Sequence, residues 1–209
     1  NFYKMSRTSE KDSEISDKFD LIKASRSNFN CNLSMKNNEI EILMLDKNLL
    51  KIVLFLKDNP TTNFDILIDI CAVDYPNQDK RFSVIYNFLS TSQNLRIRLK
   101  FNVSENQAVD SISSIYSCAN WYEREVYDLF GISFNNHPDL RRILTDYDFE
   151  GHPLRKDFPL TGFVQVRYDS EQKKIVNEAV KLDQEYRNFD NLSPWEGMNN
   201  QISSEKDGK

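Results

Sequence analysis

Glu123, Arg124, Glu125 and Asp128 crowd one short run, WYEREVYDLFG, and are the residues in the chain whose types and spacing come nearest to chemistry. On a helix Arg124 and Asp128 are neighbours one turn apart, as are Trp121 and Glu125. Paired carboxylates serve general acid–base catalysis when their proton affinities are pushed apart. An arginine between them holds acids ionised, so the run predicts an ion-pair network, and no catalytic residue is assigned. His137 and His152 are the two histidines, fifteen residues apart, and each precedes a proline. Asp139, Asp146 and Asp148 stand near enough in sequence to complete a metal set, but the spacing matches no ligand pattern. Both histidines are therefore expected at a protein interface, with no metal.

The doublets Arg141-Arg142 and Arg155-Lys156 follow the two His-Pro pairs at a similar offset. Arginine binds carboxylates through two parallel donors and is favoured where proteins meet. Phe134, Tyr147, Phe149, Phe158 and Phe163 are interleaved among these charges, too many aromatics for an irregular segment to bury alone. Left uncovered they would form an apolar patch larger than monomers usually carry. The partner-interface candidates are thus Glu123, Arg124, Glu125, Asp128, His137, Asp139, Arg141, Arg142, His152, Arg155, Lys156 and Phe158. No GxGxxG, GxxxxGK[ST] or GxSxG occurs, so no nucleotide, flavin or acyl-transfer site is predicted.

Composition narrows the class. The 209 residues suit one domain with extensions, and 39% hydrophobic against 28% charged residues describe a globular chain. The longest apolar run, 49–56, is interrupted by Lys51 and falls well short of the roughly 20 residues of a membrane helix. Net charge is −5 with dispersed basic residues, which argues against nucleic acid. Cys31, Cys71 and Cys118 are odd in number and widely separated, against a disulfide framework, a zinc site or an iron–sulfur cluster. The N-terminal stretch lacks a secretory apolar core, and Glu10, Asp12, Glu14 and Asp17 make it unlike an acid-poor transit peptide.

The elements that position these residues follow from periodicity. A short helix is expected over 16–24 and a strand over 39–45. A helix over 47–58 follows, capped by Asp46, with Leu49, Ile52, Val53 and Leu56 as its buried stripe. Strands are expected over 64–73, with Ile66, Ile68, Ile70 and Ala72 on one face, and over 81–89. A further strand over 95–103 alternates most cleanly, Leu95, Ile97, Leu99, Phe101 and Val103 against Arg96, Arg98, Lys100 and Asn102. Helices over 105–116 and 121–130 come next, the latter capped by Asn120 and stopped by Gly131. A small hairpin is expected between 163–169 and 174–180. The fold class is α+β: an antiparallel sheet of about four strands with helices on one face, then an extended, largely irregular C-terminal segment. The corresponding parts are an N-terminal arm (1–34), an α+β body (35–131), a partner-docking segment with the hairpin (132–196) and a disordered tail (197–209).

Read as a line of text, residues 123–144, ERE-xx-D-LFG-x-x-F-xx-HPDLRRIL, resemble the signature of the 30-kDa subunit of respiratory complex I, the family of the C subunit in bacterial NADH-quinone oxidoreductase. The resemblance runs back through LIDICAVDYP (67–76) and RFSVIYNFLS (81–90), and forward through EGHPLRKDFPLTGFVQVRYD (150–169) to SPWE at 193–196. Asp148 and Cys118 depart from it, each standing where relatives commonly carry glycine. The resemblance implies a structural subunit with no cofactor of its own, FMN and iron–sulfur clusters belonging to other subunits. It implies a place in the peripheral arm on the matrix side of the mitochondrial inner membrane, bound to the 49-kDa subunit near the quinone-reducing module. The alternatives are a membrane hydrogenase or chloroplast-type relative that uses ferredoxin, and, from another class, a free-standing enzyme built on Glu123, Glu125 or the histidines.

Overall fold

In the computed structural model, residues 29–182 are described apart from 37, 38, 46, 47 and 61, together with 19, 20, 22, 23 and 184. The chain divides into two compact units, residues 1–160 and 161–209.

The first unit is built on a five-stranded sheet in the order β1-β2-β5-β4-β3, formed by β1 (Cys31–Lys36), β2 (Glu39–Met44), β3 (Ile66–Asp74), β4 (Phe82–Ser90) and β5 (Leu95–Val103). Helix α1 (Leu49–Asp58) carries the chain from β2 to the far edge of the sheet. The meander β3-β4-β5 then returns, so that β5 lies parallel to β2 while every other pair is antiparallel. A parallel pair needs a crossover of this kind. The expected α+β class stands, but the sheet is mixed and has a fifth strand, β1, mostly within residues expected to form an arm. Helix α1 buries Leu49, Ile52, Val53 and Leu56, the stripe read from its spacing. The Asp46 cap and most of the helix expected over 16–24 lie outside the described residues. The four of that helix which are described are helical, and Ile22 is buried.

One sheet face makes the core, with Phe82, Val84, Tyr86 and Phe88 of β4 opposed to Leu99, Phe101 and Val103 of β5. On β3 the inward set differs from simple alternation. A bulge between Leu67 and Asp69 turns Leu67 inward with Ile70 and Ala72, and leaves Ile66 and Ile68 exposed. One extra residue swaps the faces of everything before it. The opposite face carries ion pairs between β2 and β5, Glu39 with Arg98 at 3.1 Å and Glu41 with Lys100 at 2.9 Å.

The helix expected over 105–116 does not form. Its apolar residues Val109, Ile112 and Tyr116 are buried, but 109–110 pair as strand β6 with β7 (Phe134–Asn135). The Val109 amide donates to Ser133 and the Ser111 amide to Asn135, so a long-range ladder replaces the helical one. Helix α2 (Ala119–Phe130) is two residues longer than its caps predict and starts after Cys118, with no side-chain cap at that end. The second unit contains an antiparallel hairpin, β8 (Val164–Asp169) with β9 (Lys174–Ala179), closed where Asp169 accepts the amides of Glu171 and Gln172.

Candidate functional site

Residues 121–158 are organised by the two ends of α2. Its last four carbonyls cannot be satisfied inside the helix, and each finds a donor from later in the chain. The Gly131 amide donates to Tyr127 at 2.8 Å, His152 Nδ1 to Asp128 at 2.9 Å, the Leu154 amide to Leu129 at 3.1 Å and Arg155 Nε to Phe130 at 2.6 Å. A carbonyl only accepts, so His152 carries its proton on Nδ1. Burial, with the charges of Arg155 and Arg142, holds this ring below the usual histidine value against the pull of the Asp128 carbonyl. Two guanidinium groups at this end also suit the negative pole of the helix.

Gly131 is required here on two counts. Its φ is +76°, in the left-handed region, and an added Cβ would stand 2.5 Å from His152 Nε2 and 2.7 Å from Arg155 Nη2.

Asp128 has no exposed surface and gathers the 142–145 turn. Its Oδ2 accepts the amides of Ile143, Leu144 and Thr145 at 3.0, 2.7 and 2.9 Å. Its Oδ1 accepts Arg142 Nη1 at 2.8 Å and the Thr145 hydroxyl. Burial alone would raise this carboxyl, but the Thr145 hydroxyl and the three amides outweigh it and hold the group well below the usual carboxylate range. Arg142 reaches on to the Gly151 carbonyl at 2.9 Å and lies over the Phe149 ring. Arg124, also buried, donates to the carbonyls of Arg141 and Arg142 at 3.1 and 3.0 Å.

The first half of α2 is tied by Glu123, which is fully buried. It accepts the Ser111 hydroxyl at 2.6 Å and the Ile112 amide at 2.8 Å. Burial pushes its carboxyl up to about 7, against those two bonds. His137 lies 3.8 Å away with its side chain buried. Its Nδ1 accepts the Asp139 amide, so the proton is on Nε2, which donates to the Asn120 carbonyl at 3.1 Å.

Sequence reasoning missed a second brace at the end of the sheet. Asp74 receives Arg81 through two parallel bonds, at 2.8 and 2.9 Å, and the Lys156 amide at 2.8 Å. Arg81 also meets Asp157 at 3.0 Å, and Glu105 joins Arg155 at 2.8 Å. The one available signal was that Asp74 and Arg81 flank a turn, the arrangement in which opposite charges meet across a hairpin.

The interface candidates therefore separate. Glu123, Arg124 and Asp128 are buried and bonded within the chain, while Arg142, His152 and Arg155 are partly buried and bonded to the helix end. Glu125 is half-buried, as is Phe158, whose ring meets Phe149 at 5.7 Å. Asp139 and Arg141 are exposed and pair with each other at 2.9 Å, and Lys156 is exposed. Apolar side chains also project from the braced loops, among the exposed charges: Leu144 is 62% exposed, Tyr147 80% and Leu154 49%. Asp148 and Cys118 both sit in backbone of negative φ, so neither needs the glycine that the resemblance expects. Among the described residues no group of three His, Cys, Asp or Glu is placed to hold a metal ion.

The fold and the braced helix define an α+β protein that turns Leu144, Tyr147 and Leu154 outward from loops held from within. A chain of the membrane-bound sulfane sulfur reductase, an archaeal respiratory membrane complex, shares the fold, with a TM-score of 0.59, 21% identity and coverage of 75% of this chain and 98% of that one. The family model described as respiratory-chain NADH dehydrogenase, 30 Kd subunit, matches residues 42–164, and the chain belongs to that family. Two of its similar relatives are C subunits of NADH-quinone oxidoreductase. The one from Xanthobacter autotrophicus is 55% identical over 78% of each chain. The one from Mesorhizobium japonicum is 53% identical over 82% of this chain and 85% of its own.

Proposed function

We propose that this chain is a cofactor-free structural subunit of the peripheral arm of a proton-pumping NADH:quinone oxidoreductase, holding the quinone-reducing module by binding the 49-kDa subunit. The observation that carries this reading is the division of labour around α2. Asp128, Arg124, His152 and Arg155 fix the 141–155 backbone from inside, and Leu144, Tyr147 and Leu154 face out from it. Exposed apolar side chains on a preorganised backbone bind a partner with little loss of loop entropy. The rings of His137 and His152 are committed to backbone groups, which supports a role without electron transfer in this chain. FMN and iron–sulfur clusters are then held by other subunits. Among the described residues no helix is long and apolar enough to cross a membrane, in keeping with contact to the membrane through the rest of the complex. Placement on the matrix side of a mitochondrial inner membrane rests on the resemblance alone, since the relatives compared are bacterial; cell fractionation tests it.

The experiment is a double substitution, Leu144→Asp with Leu154→Asp, in the full chain expressed in cells without their own copy. The variant is expected to unfold within a few degrees of wild type, because both side chains are outside the core. It is also expected to be lost from the purified complex, with NADH:quinone activity falling in proportion. Mass spectrometry of co-purifying subunits identifies the machine. Full incorporation with normal activity overturns the proposal, and so does a hydrogenase or ferredoxin-using set of partners.

A further inference from the structure

Within the docking segment the charges are treated unequally. Asp139 is paired with Arg141, Asp157 with Arg81, and Asp128 with Arg142. Asp146, Asp148 and Glu150 are all exposed, and none of them forms an ion pair with a described residue. These three acids flank Tyr147 in sequence, the most exposed aromatic among the described residues of the first unit at 80%, and follow closely on the exposed Leu144. The backbone beneath them is held. The Phe149 amide donates to the Asp146 carbonyl at 3.0 Å, the Phe149 ring rests on Phe158, and Arg142 bridges Asp128 to the Gly151 carbonyl. A short span of like charge around an exposed ring is repulsive in the free chain, and none of the three acids has an ion-pair partner among the described residues.

We propose that residues 144–150 form an acidic tip, with Tyr147 as its anchor, that inserts into a basic recess on the partner subunit. This rests on the subunit reading above and adds the chemistry of the opposing surface: Lys or Arg side chains around an apolar pocket sized for a tyrosine ring. Tyrosine is among the residue types that most often anchor such contacts, because it buries a large rigid ring and keeps a polar end. The acids at its rim set orientation and salt dependence, and the ring supplies a salt-independent part. A second copy of this chain is a poorer occupant, since the tip would then meet its own charge across a two-fold axis.

The test uses the assembled complex. The triple variant Asp146→Asn, Asp148→Asn, Glu150→Gln is expected to be stripped from the complex at clearly lower salt, with retention at physiological ionic strength weakened roughly tenfold. Tyr147→Ala is expected to weaken retention equally at low and high salt. A photo-crosslinking amino acid at position 147 is expected to capture a Lys- or Arg-rich peptide of a partner subunit. Retention of the triple variant at wild-type salt overturns the inference, as does a crosslink to an acidic or purely apolar peptide or to a second copy of this chain. Failure of the wild-type chain to enter the complex instead overturns the subunit reading itself, so the two failures are distinguishable.

Discussion

Glu123 sits without exposed surface between the sheet and the turn at 111–113, where two neutral donors, the Ser111 hydroxyl and the Ile112 amide, reach it. Five residues on, Asp128 is as deeply placed but receives a guanidinium, a hydroxyl and three amides. The same burial therefore has opposite outcomes, a proton held to about pH 7 at Glu123 and released far below the usual range at Asp128. A carboxyl raised in the folded state from 4.5 stabilises fully below that value, and its contribution is lost as pH climbs through 7. Glu123→Gln mimics the neutral acid, its oxygen accepting Ile112 and its amide donating to Ser111. It is expected to match wild type at pH 4.5 and to exceed it at pH 8.5 by on the order of 3 kcal/mol in chemical unfolding. A variant whose stability falls in parallel with wild type across that range would remove Glu123 as the source. Asp128 works in the reverse sense: its contribution is present above the ordinary carboxylate value and lost as pH falls toward the depressed one. Asp128→Ala leaves three amides and Arg142 without their acceptor, and about 3–5 kcal/mol of stability is expected to go. Little change in the denaturation midpoint would show that water replaces the carboxylate.

Helix α2 ends at Gly131 and is closed by residues 21 to 24 positions further on, His152, Leu154 and Arg155. The cap is therefore tertiary, and one glycine makes room for it. Gly131→Ala carries the cost of a left-handed alanine, about 1–2 kcal/mol. It also displaces the His152 ring, with about 1 kcal/mol more for the lost bond to Asp128. Unfolding is expected near 2–3 kcal/mol below wild type, and Gly131→Asn, which tolerates the dihedral but not the space, is expected to recover only part. Full recovery by asparagine would assign the effect to backbone strain alone. This helix was legible in the sequence because an amphipathic period and a terminal glycine are local signals, and β5 was legible through its strict alternation. The absent helix at 105–116 shows the limit. Val109, Ile112 and Ile115 fit a helical stripe, yet the backbone bonds go to 133–135, which no local pattern announces. The bulge at Leu67–Asp69 is a further limit, since a one-residue slip leaves composition unchanged while exchanging the two faces. Charged residues between 123 and 156 were recognisable as a set. Their sidedness was not, because a buried arginine on backbone carbonyls and an exposed one on a partner look alike in a string of letters.

At the scale of the whole chain, the most exposed large apolar residues among those described lie mainly in the loops around α2 and in the second unit. On one face of the second unit's hairpin Val164, Val166 and Tyr168 stand opposite Ala179, Asn177 and Ile175, and the large side chains are exposed. The other face is mainly polar, with Gln165 and Arg167 both bonded to Glu178 and only Val176 apolar beside them. A two-stranded ribbon with a single apolar face is marginal in water and gains stability only when that face is covered. The five-stranded sheet has no such need, since its inward face is closed by α1 and by Phe64, Ile112 and Tyr116. Amide exchange should therefore divide along this line. In the isolated chain the amides of β4 and β5 are expected to open only with global unfolding, while those that pair β8 with β9 exchange through local opening, at least roughly a hundredfold faster. Within the assembled complex the hairpin amides are expected to slow by more than about tenfold and those of β4 and β5 to change little. Slow exchange of the hairpin in the isolated chain would mean that the ribbon is already covered without a partner. Unchanged fast exchange in the complex would mean that its apolar face stays in water after assembly, leaving the loops around α2 to carry the attachment.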